Sequence, residues 1–319
     1  MDHRPRYHDI AKASAGQGIG GYPKHADDPT KAFISYWFDK DSQFQLRALA
    51  EIIGQVKDTG KRTLLWCGFS RLIITKSRGA SLAMDLSHSR PHKVYETAPI
   101  EPFAEFINAV KRVVKHSPFK GASRKLPTAR VRRHDARRLP LKDSSIDVVI
   151  TSPPYLNAID YVRCSKFSLV WMGFKVSDLQ TLRSTNIGSE RGRKPLQRAD
   201  KLETLLGVIG GKRLSVHDKG MLRGYIRDLD LVLREISRVL IPSGRAIFVV
   251  GDSTVRGTFV RNSEIISRLG AQHGLELKKR VSRELPPSRR YLPPPTGTGT
   301  GAGFGERMRR EVIMHFVKD

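Results

Sequence analysis

The sequence predicts an α/β fold preceded by a helical subdomain, and three observations carry that reading. Apolar residues recur at helical spacing through residues 31–120. Farther on, two short apolar runs at 146–150 and 245–250 flank a long amphipathic stretch at 218–240, the pattern of strand, crossover helix and strand. The first of those runs passes directly into Thr151, Ser152, Pro153, Pro154 and Tyr155. Two consecutive prolines can neither donate to a ladder nor enter a helix interior, so the strand ends there in a stiff corner. The carboxyl ends of strands are where open α/β sheets place their ligands.

Taken in order, residues 1–30 are polar and carry Gly16, Gly18, Gly20 and Gly21. No apolar strand precedes these glycines and no helix pattern follows closely, so they read as a flexible arm rather than a dinucleotide loop. Residues 33–38 are rich in aromatics. Phe44, Leu46, Leu49, Ile52, Ile53 and Val56 then mark one face of a helix ending near Gly60. A second helix is expected over 64–74 and a third over 102–114, with Phe103, Phe106, Ile107, Val110 and Val114 on one face. Between them lie basic loops rich in Ser and His, at 76–81 and 87–92, suited to phosphate contact or simply solvated.

After Pro118 the character changes. Residues 119–134 are strongly basic, and 130–136 read as a strand ending in Asp135 and Ala136. The run at 146–150 reads as a buried strand, 158–173 as a helix, and 175–216 as a mobile insertion. The 218–240 helix ends at Pro242, Ser243 and Gly244, and 245–250 is a buried strand. A helix at 260–272, a strand at 275–281, a Pro/Gly-rich loop at 286–305 and a last strand at 311–317 complete the chain. The two final strands read as an antiparallel pair.

The 319 residues carry 57 Lys+Arg against 31 Asp+Glu, a formal net charge of +26. Such an excess points to a polyanionic partner, most simply nucleic acid. Cys67 and Cys164 have no metal-type spacing, so neither a zinc site nor a disulfide framework is expected. No run of about 18 apolar residues is present and the first residues lack an apolar signal core, so no membrane span or secretory signal is expected. A reducing, cytoplasmic setting is the corresponding expectation.

The Thr151–Ser152–Pro153–Pro154–Tyr155 stretch resembles the catalytic motif of bacterial DNA amino-methyltransferases, which methylate cytosine N4 or adenine N6. Its Ser-Pro-Pro-Tyr form looks most like the cytosine-N4 branch. The plain alternative is a Pro-Pro turn with a surface tyrosine. The resemblance extends to Ile34-Ser35-Tyr36-Trp37-Phe38, Asp160-Tyr161, Val249 to Ser253, Arg283-Glu284-Leu285-Pro286-Pro287 with Arg289-Arg290-Tyr291, and Arg307-Met308-Arg309. It implies a Rossmann-like methyltransferase sheet over 121–319, double-stranded DNA as partner and S-adenosylmethionine as cofactor.

The chemistry of such a reaction explains the residue types. An exocyclic amine is a poor nucleophile because its lone pair is conjugated with the ring. It needs acceptors for its N–H groups as it pyramidalises, and a methyl donor in line behind it. The Ser152 hydroxyl and the Pro153 carbonyl are the acceptors that the resemblance implies. Tyr155 is placed to stack on a base flipped out of the duplex. The resemblance also assigns Asp135, with Ala136 beside it, and Thr151 to the cofactor, Asp135 taking the adenine amino group. A turn cap is the alternative for Asp135. Asp252 reads as a cap.

One departure stands out. The family carries a glycine-rich strand-loop that wraps the methionine part of the cofactor, expected upstream of the helical region. None is legible there, and Gly297, Gly299, Gly301 and Gly303 lack a following helix. The sheet is thus expected to be incomplete, with a second polypeptide supplying the loop. A non-catalytic nucleic-acid-binding subunit, a truncated half of a split methyltransferase and an RNA amino-group methyltransferase are the rival readings.

Overall fold

The computed structural model describes residues 21–73, 78–84, 92–116, 129–156, 161–187, 207, 214–255, 258–285 and 310–319. They belong to two compact units, Met1–Thr128 with Asp160–Arg183, and Ala129–Ile159 with Ser184–Asp319. A sequence boundary at 121 assigns 160–183 to the second domain, whereas in the structure that stretch packs within the first unit.

The first unit is helical. Helix α1 (Asp28–Trp37) starts on Asp27, whose carboxylate accepts from the Thr30 amide at 3.0 Å. α2 (Lys40–Gln55) starts on Asp39 in the same way, through the Ser42 amide at 2.7 Å. Such caps satisfy amide groups that a helix leaves unpaired in its first turn. α3 is Thr59–Ile73. A two-residue pair of strands, β1 (Ala83–Met84) and β2 (His92–Lys93), precedes α4 (Pro102–Lys115). Gly68 lets α3 and α4 touch: a Cβ there would lie 2.5 Å from Val110 Cγ2. α5 (Tyr161–Leu169) adds Phe167, fully buried and edge-on to Phe33 and Trp37 at 5.1 Å. α6 (Val176–Thr185) falls inside the stretch expected as a mobile insertion; most of the remainder of that stretch lies outside the described residues.

The second unit is built on a mixed sheet in the order β3–β4–β8–β7. β3 is Ile146–Thr151, α7 is Val216–Val239 and β4 is Leu240–Val250, with β3 and β4 parallel. A small hairpin, β5 (Ser253–Val255) and β6 (Thr258–Val260), leads to α8 (Asn262–Gln272). β7 (Leu275–Glu284) and β8 (Arg310–Lys318) close the sheet as the expected antiparallel pair. The Pro242–Gly244 turn is absorbed into β4, where Ser243 takes φ 60°. Gly244 is required by close approach: a Cβ would meet the Ile241 carbonyl at 2.7 Å and the Asp147 carbonyl at 3.3 Å.

One face of this sheet is the core. Ala246, Phe248, Val250, Met314 and Phe316 pack with Leu222, Tyr225, Leu229 and Leu233 of α7 and with Ile265, Ile266 and Leu269 of α8. The opposite face alternates as a strand must, with Val148, Ile150, Ile247, Val249, Ile313 and Val317 in register across it. Ile150 is 73% exposed and Val148 45%. Among the described residues, β3 has β4 as its one neighbour, so it is an edge strand.

Two expectations are corrected. The 146–150 run is not buried: on an edge with one face uncovered, apolar composition does not report burial. Residues 130–136 form no strand. Val131 is 97% exposed, and the segment ends in a turn closed by the Arg138 amide on the Asp135 carbonyl at 3.0 Å. The 1–20, 85–91, 117–128, 188–206 and 286–309 stretches lie outside the described residues, and with them most of the glycine-rich arm, one of the basic loops and the C-terminal glycine run.

Candidate active site

The corner begins where β3 ends. Thr151 is the last residue of the strand, in register with Phe248 of β4. Ser152 is exposed, Pro153 buried, and Pro154 and Tyr155 half-buried, while Leu156 anchors the exit in the core. Three hydrogen bonds fix this geometry from distant elements. The Ser152 hydroxyl donates to the Val249 carbonyl at 2.9 Å. The Tyr225 hydroxyl, from the middle of α7, donates to the Pro154 carbonyl at 2.9 Å. The Tyr155 hydroxyl donates to Glu311 Oε1 on β8 at 3.2 Å and also lies 3.2 Å from Ser152 Oγ.

A hydroxyl has one proton and two lone pairs. With its proton on Val249, Ser152 Oγ keeps its lone pairs at an exposed position. Pro154 has its carbonyl taken by Tyr225, and no described residue donates to the carbonyl of Pro153. Glu311 itself is held by Arg283, directly opposite on β7, through Nη2 at 2.7 Å and Nε at 3.1 Å.

Asp135 sits in the turn before β3. Its carboxylate accepts from the Arg137 amide at 2.9 Å and from the Arg137 guanidinium at 2.7 Å. Arg137 also reaches buried Asp228 of α7 at 3.2 Å. The Asp135 hydrogen bond, more than the Asp228 charge, raises the Arg137 pKa above its ordinary value. Ala136 packs against the same core as Tyr155. Farther along, Glu235 of α7 accepts from the Leu139 amide at 2.8 Å, and Arg238 donates to the carbonyls of Leu139 at 3.0 Å and Leu141 at 2.9 Å and to Asp143 at 2.6 Å. α7 therefore clamps the whole segment that enters β3. Asp252 is a cap, accepting from the Ser263 amide of α8 at 2.9 Å.

Sequence reasoning missed Tyr225, Val249, Glu311 and Arg283 as partners of the corner. Arg283 stood among the quoted family residues, but nothing in its spacing connects it to Glu311 or Tyr155. Among the described residues no group of three or more metal-ligating side chains occurs, and no helix is long and apolar enough to cross a membrane.

The structure thus places a Pro-Pro corner at a strand end of a mixed α/β sheet, with a hydroxyl before it and an aromatic after it. The chain is related in sequence to the type II methyltransferases. It is 22% identical over 275 residues to type II methyltransferase M.MvaI of Kocuria varians, covering 80% of this chain and 60% of that protein. It is 26% identical over 152 residues to type II methyltransferase M.AvaI of Nostoc sp. strain PCC 7120, covering 42% of this chain and 31% of that one. The chain thus spans less than two thirds of the length of either relative. Solved structures of a candidate DNA modification methylase of Thermus thermophilus overlap 58% of the chain at 20% identity and a TM-score of 0.31. For its complex with S-adenosyl-L-methionine the identity is 18% and the TM-score 0.29; these structures are covered over 52% and 53% of their lengths. No protein-family model matches the chain.

Proposed function

We propose that this chain is the catalytic-corner part of an S-adenosylmethionine-dependent DNA amino-methyltransferase, with cytosine N4 of a flipped base as the acceptor. The observation that carries this reading is exposed Ser152, its hydroxyl donating to the Val249 carbonyl at 2.9 Å and its oxygen 3.2 Å from the Tyr155 hydroxyl. In this role Ser152 Oγ and the Pro153 carbonyl accept the amine N–H groups, and Tyr155 stacks on the base. The net charge of +26 supports a double-stranded DNA substrate. The kinship to type II methyltransferases supports the same chemistry.

The cofactor supplies an electrophilic methyl group. On this chain Asp135, half exposed, is the residue for the adenine amino group, with Ala136 and Thr151 as the other cofactor residues. No glycine-rich strand-loop for the methionine end occurs among the described residues, so the donor set fits only in part and no step is derived through it. The sheet is a Rossmann-like sheet that needs further strands. A parallel edge strand with an uncovered apolar face is what a strand and its crossover helix would complete. We therefore read the glycine-rich strand-loop as supplied by a segment that is not among the described residues, a second polypeptide being one source and the remainder of a split methyltransferase another.

The test is transfer of tritiated methyl groups to duplex DNA, with RNA as the competing acceptor, followed by hydrolysis and identification of the labelled base. Label on cytosine N4 is expected. Label on adenine N6 overturns the base assignment, label on RNA alone overturns the substrate, and no label from the complemented protein overturns the function.

A further inference from the structure

We propose that Glu311 is a positioning residue for the corner: it draws the Tyr155 phenolic proton away from Ser152, which keeps the Ser152 oxygen an acceptor. The inference rests on the amine-accepting role of Ser152 given above and adds the device that maintains it.

Glu311 lies on β8, two strands from β3, and is 8% exposed. A buried carboxylate is tolerated only when paired and hydrogen-bonded. Arg283 meets one oxygen through two donors, and Tyr155 meets the other.

The proton accounting gives the role. Ser152 has spent its proton on the Val249 carbonyl. The Tyr155 hydroxyl lies 3.2 Å both from the neutral Ser152 oxygen and from the Glu311 carboxylate. A hydrogen bond to an ionised acceptor is about twice as strong as one between neutral groups, so the phenolic proton goes to Glu311. If the carboxylate were replaced by an amide, its NH2 could donate to the phenolic oxygen and the phenolic proton would turn to Ser152. One Ser152 lone pair would then be consumed, and the incoming amine would lose an acceptor.

The experiment is a double-mutant cycle on Glu311→Gln and Tyr155→Phe, read by kcat and KM for DNA in the complemented protein. Glu311→Gln is expected to lower kcat about tenfold or more with little change in KM. In the Tyr155→Phe background, where there is no phenolic proton to misdirect, the same change is expected to cost less than about twofold. Equal losses in both backgrounds would overturn the proposal. Raman difference spectra of the wild-type protein against Tyr155→Phe give a second readout that needs neither turnover nor a Glu311 variant. A Fermi doublet of a strong phenolic donor supports the proposal, and that of an acceptor or weak donor overturns it. Should no variant methylate DNA, the functional reading fails while the spectrum still decides where the proton points.

Discussion

Tyr225 and Pro154 stand 71 residues apart in sequence and are joined by a 2.9 Å hydrogen bond from the phenol to the proline carbonyl. Tyr225 is 1% exposed, in the middle of the longest helix, with its ring in the core of the second unit. The corner is thus tied to a helix whose inner face lies in the core of the unit. Tyr225→Phe keeps the ring and leaves that carbonyl without its partner. The expected cost is about 1 kcal/mol of stability, measured by denaturant unfolding, with a larger proportional fall in kcat than in DNA affinity. A variant with wild-type kcat would show that this bond does not set the corner.

At Tyr155 the ring and the hydroxyl are separable. Tyr155→Phe retains a face for stacking and is expected to keep part of the methyl-transfer rate. Tyr155→Ala removes roughly 1–3 kcal/mol of base stacking and is expected to lose the reaction. Equal loss in both variants would point to the hydroxyl and remove stacking from the account.

Glu235 gives a pH signature. Its hydrogen bond with Arg238, helped by the Leu139 amide, holds its carboxyl below the ordinary value of 4.5. Glu235 and Asp143, in that order, raise Arg238 in turn. A carboxylate with a depressed folded-state pKa contributes stability that is present above its unfolded value and lost as pH falls through the folded value. Glu235→Gln is therefore expected to be destabilising at neutral pH, with the gap to wild type closing below about pH 4.5. Thermal unfolding across that range checks it, and a gap that stays constant or widens on acidification contradicts the clamp.

Much of this site was legible from residue order. Two prolines after an apolar run forced a corner at a strand end, and amphipathic spacing gave α4 and α7 close to their observed bounds, while Gly60, read as the end of α2, lies in the first turn of α3. α1 was not read as a helix, although Asp27 with Pro29 after it is a start signal. The failures share a cause. Burial of β3 and the strand expected at 130–136 both depend on what lies alongside, which periodicity does not contain. The partners of the corner, Tyr225 and Glu311, come from elements 71 and 156 residues away in sequence, and no local pattern announces such pairings.

The uncovered side of β3 makes its own prediction. Ile150 is 73% exposed and one residue from the corner's first member, Thr151. Ile150→Thr retains β-branching and is expected to change stability by less than about 0.5 kcal/mol. It is also expected to weaken activation by the completing segment. Loss of stability in the isolated chain would show that this face is already covered, and undiminished activation would place the segment elsewhere.

On the proposed reading, the described residues hold the corner and a further segment aims the methyl group. This is tested most directly by the initial rate of tritiated-methyl transfer to duplex DNA. That rate is compared for the isolated 319 residues and for the same chain with the glycine-rich strand-loop supplied, fused or in trans. A misplacement of about 1 Å can cost on the order of a hundredfold. The account predicts transfer that is slow or undetectable from the isolated chain, restored by the segment, and abolished again by Ser152→Ala. Full turnover by the isolated chain, or restored transfer that is indifferent to Ser152→Ala, would contradict it.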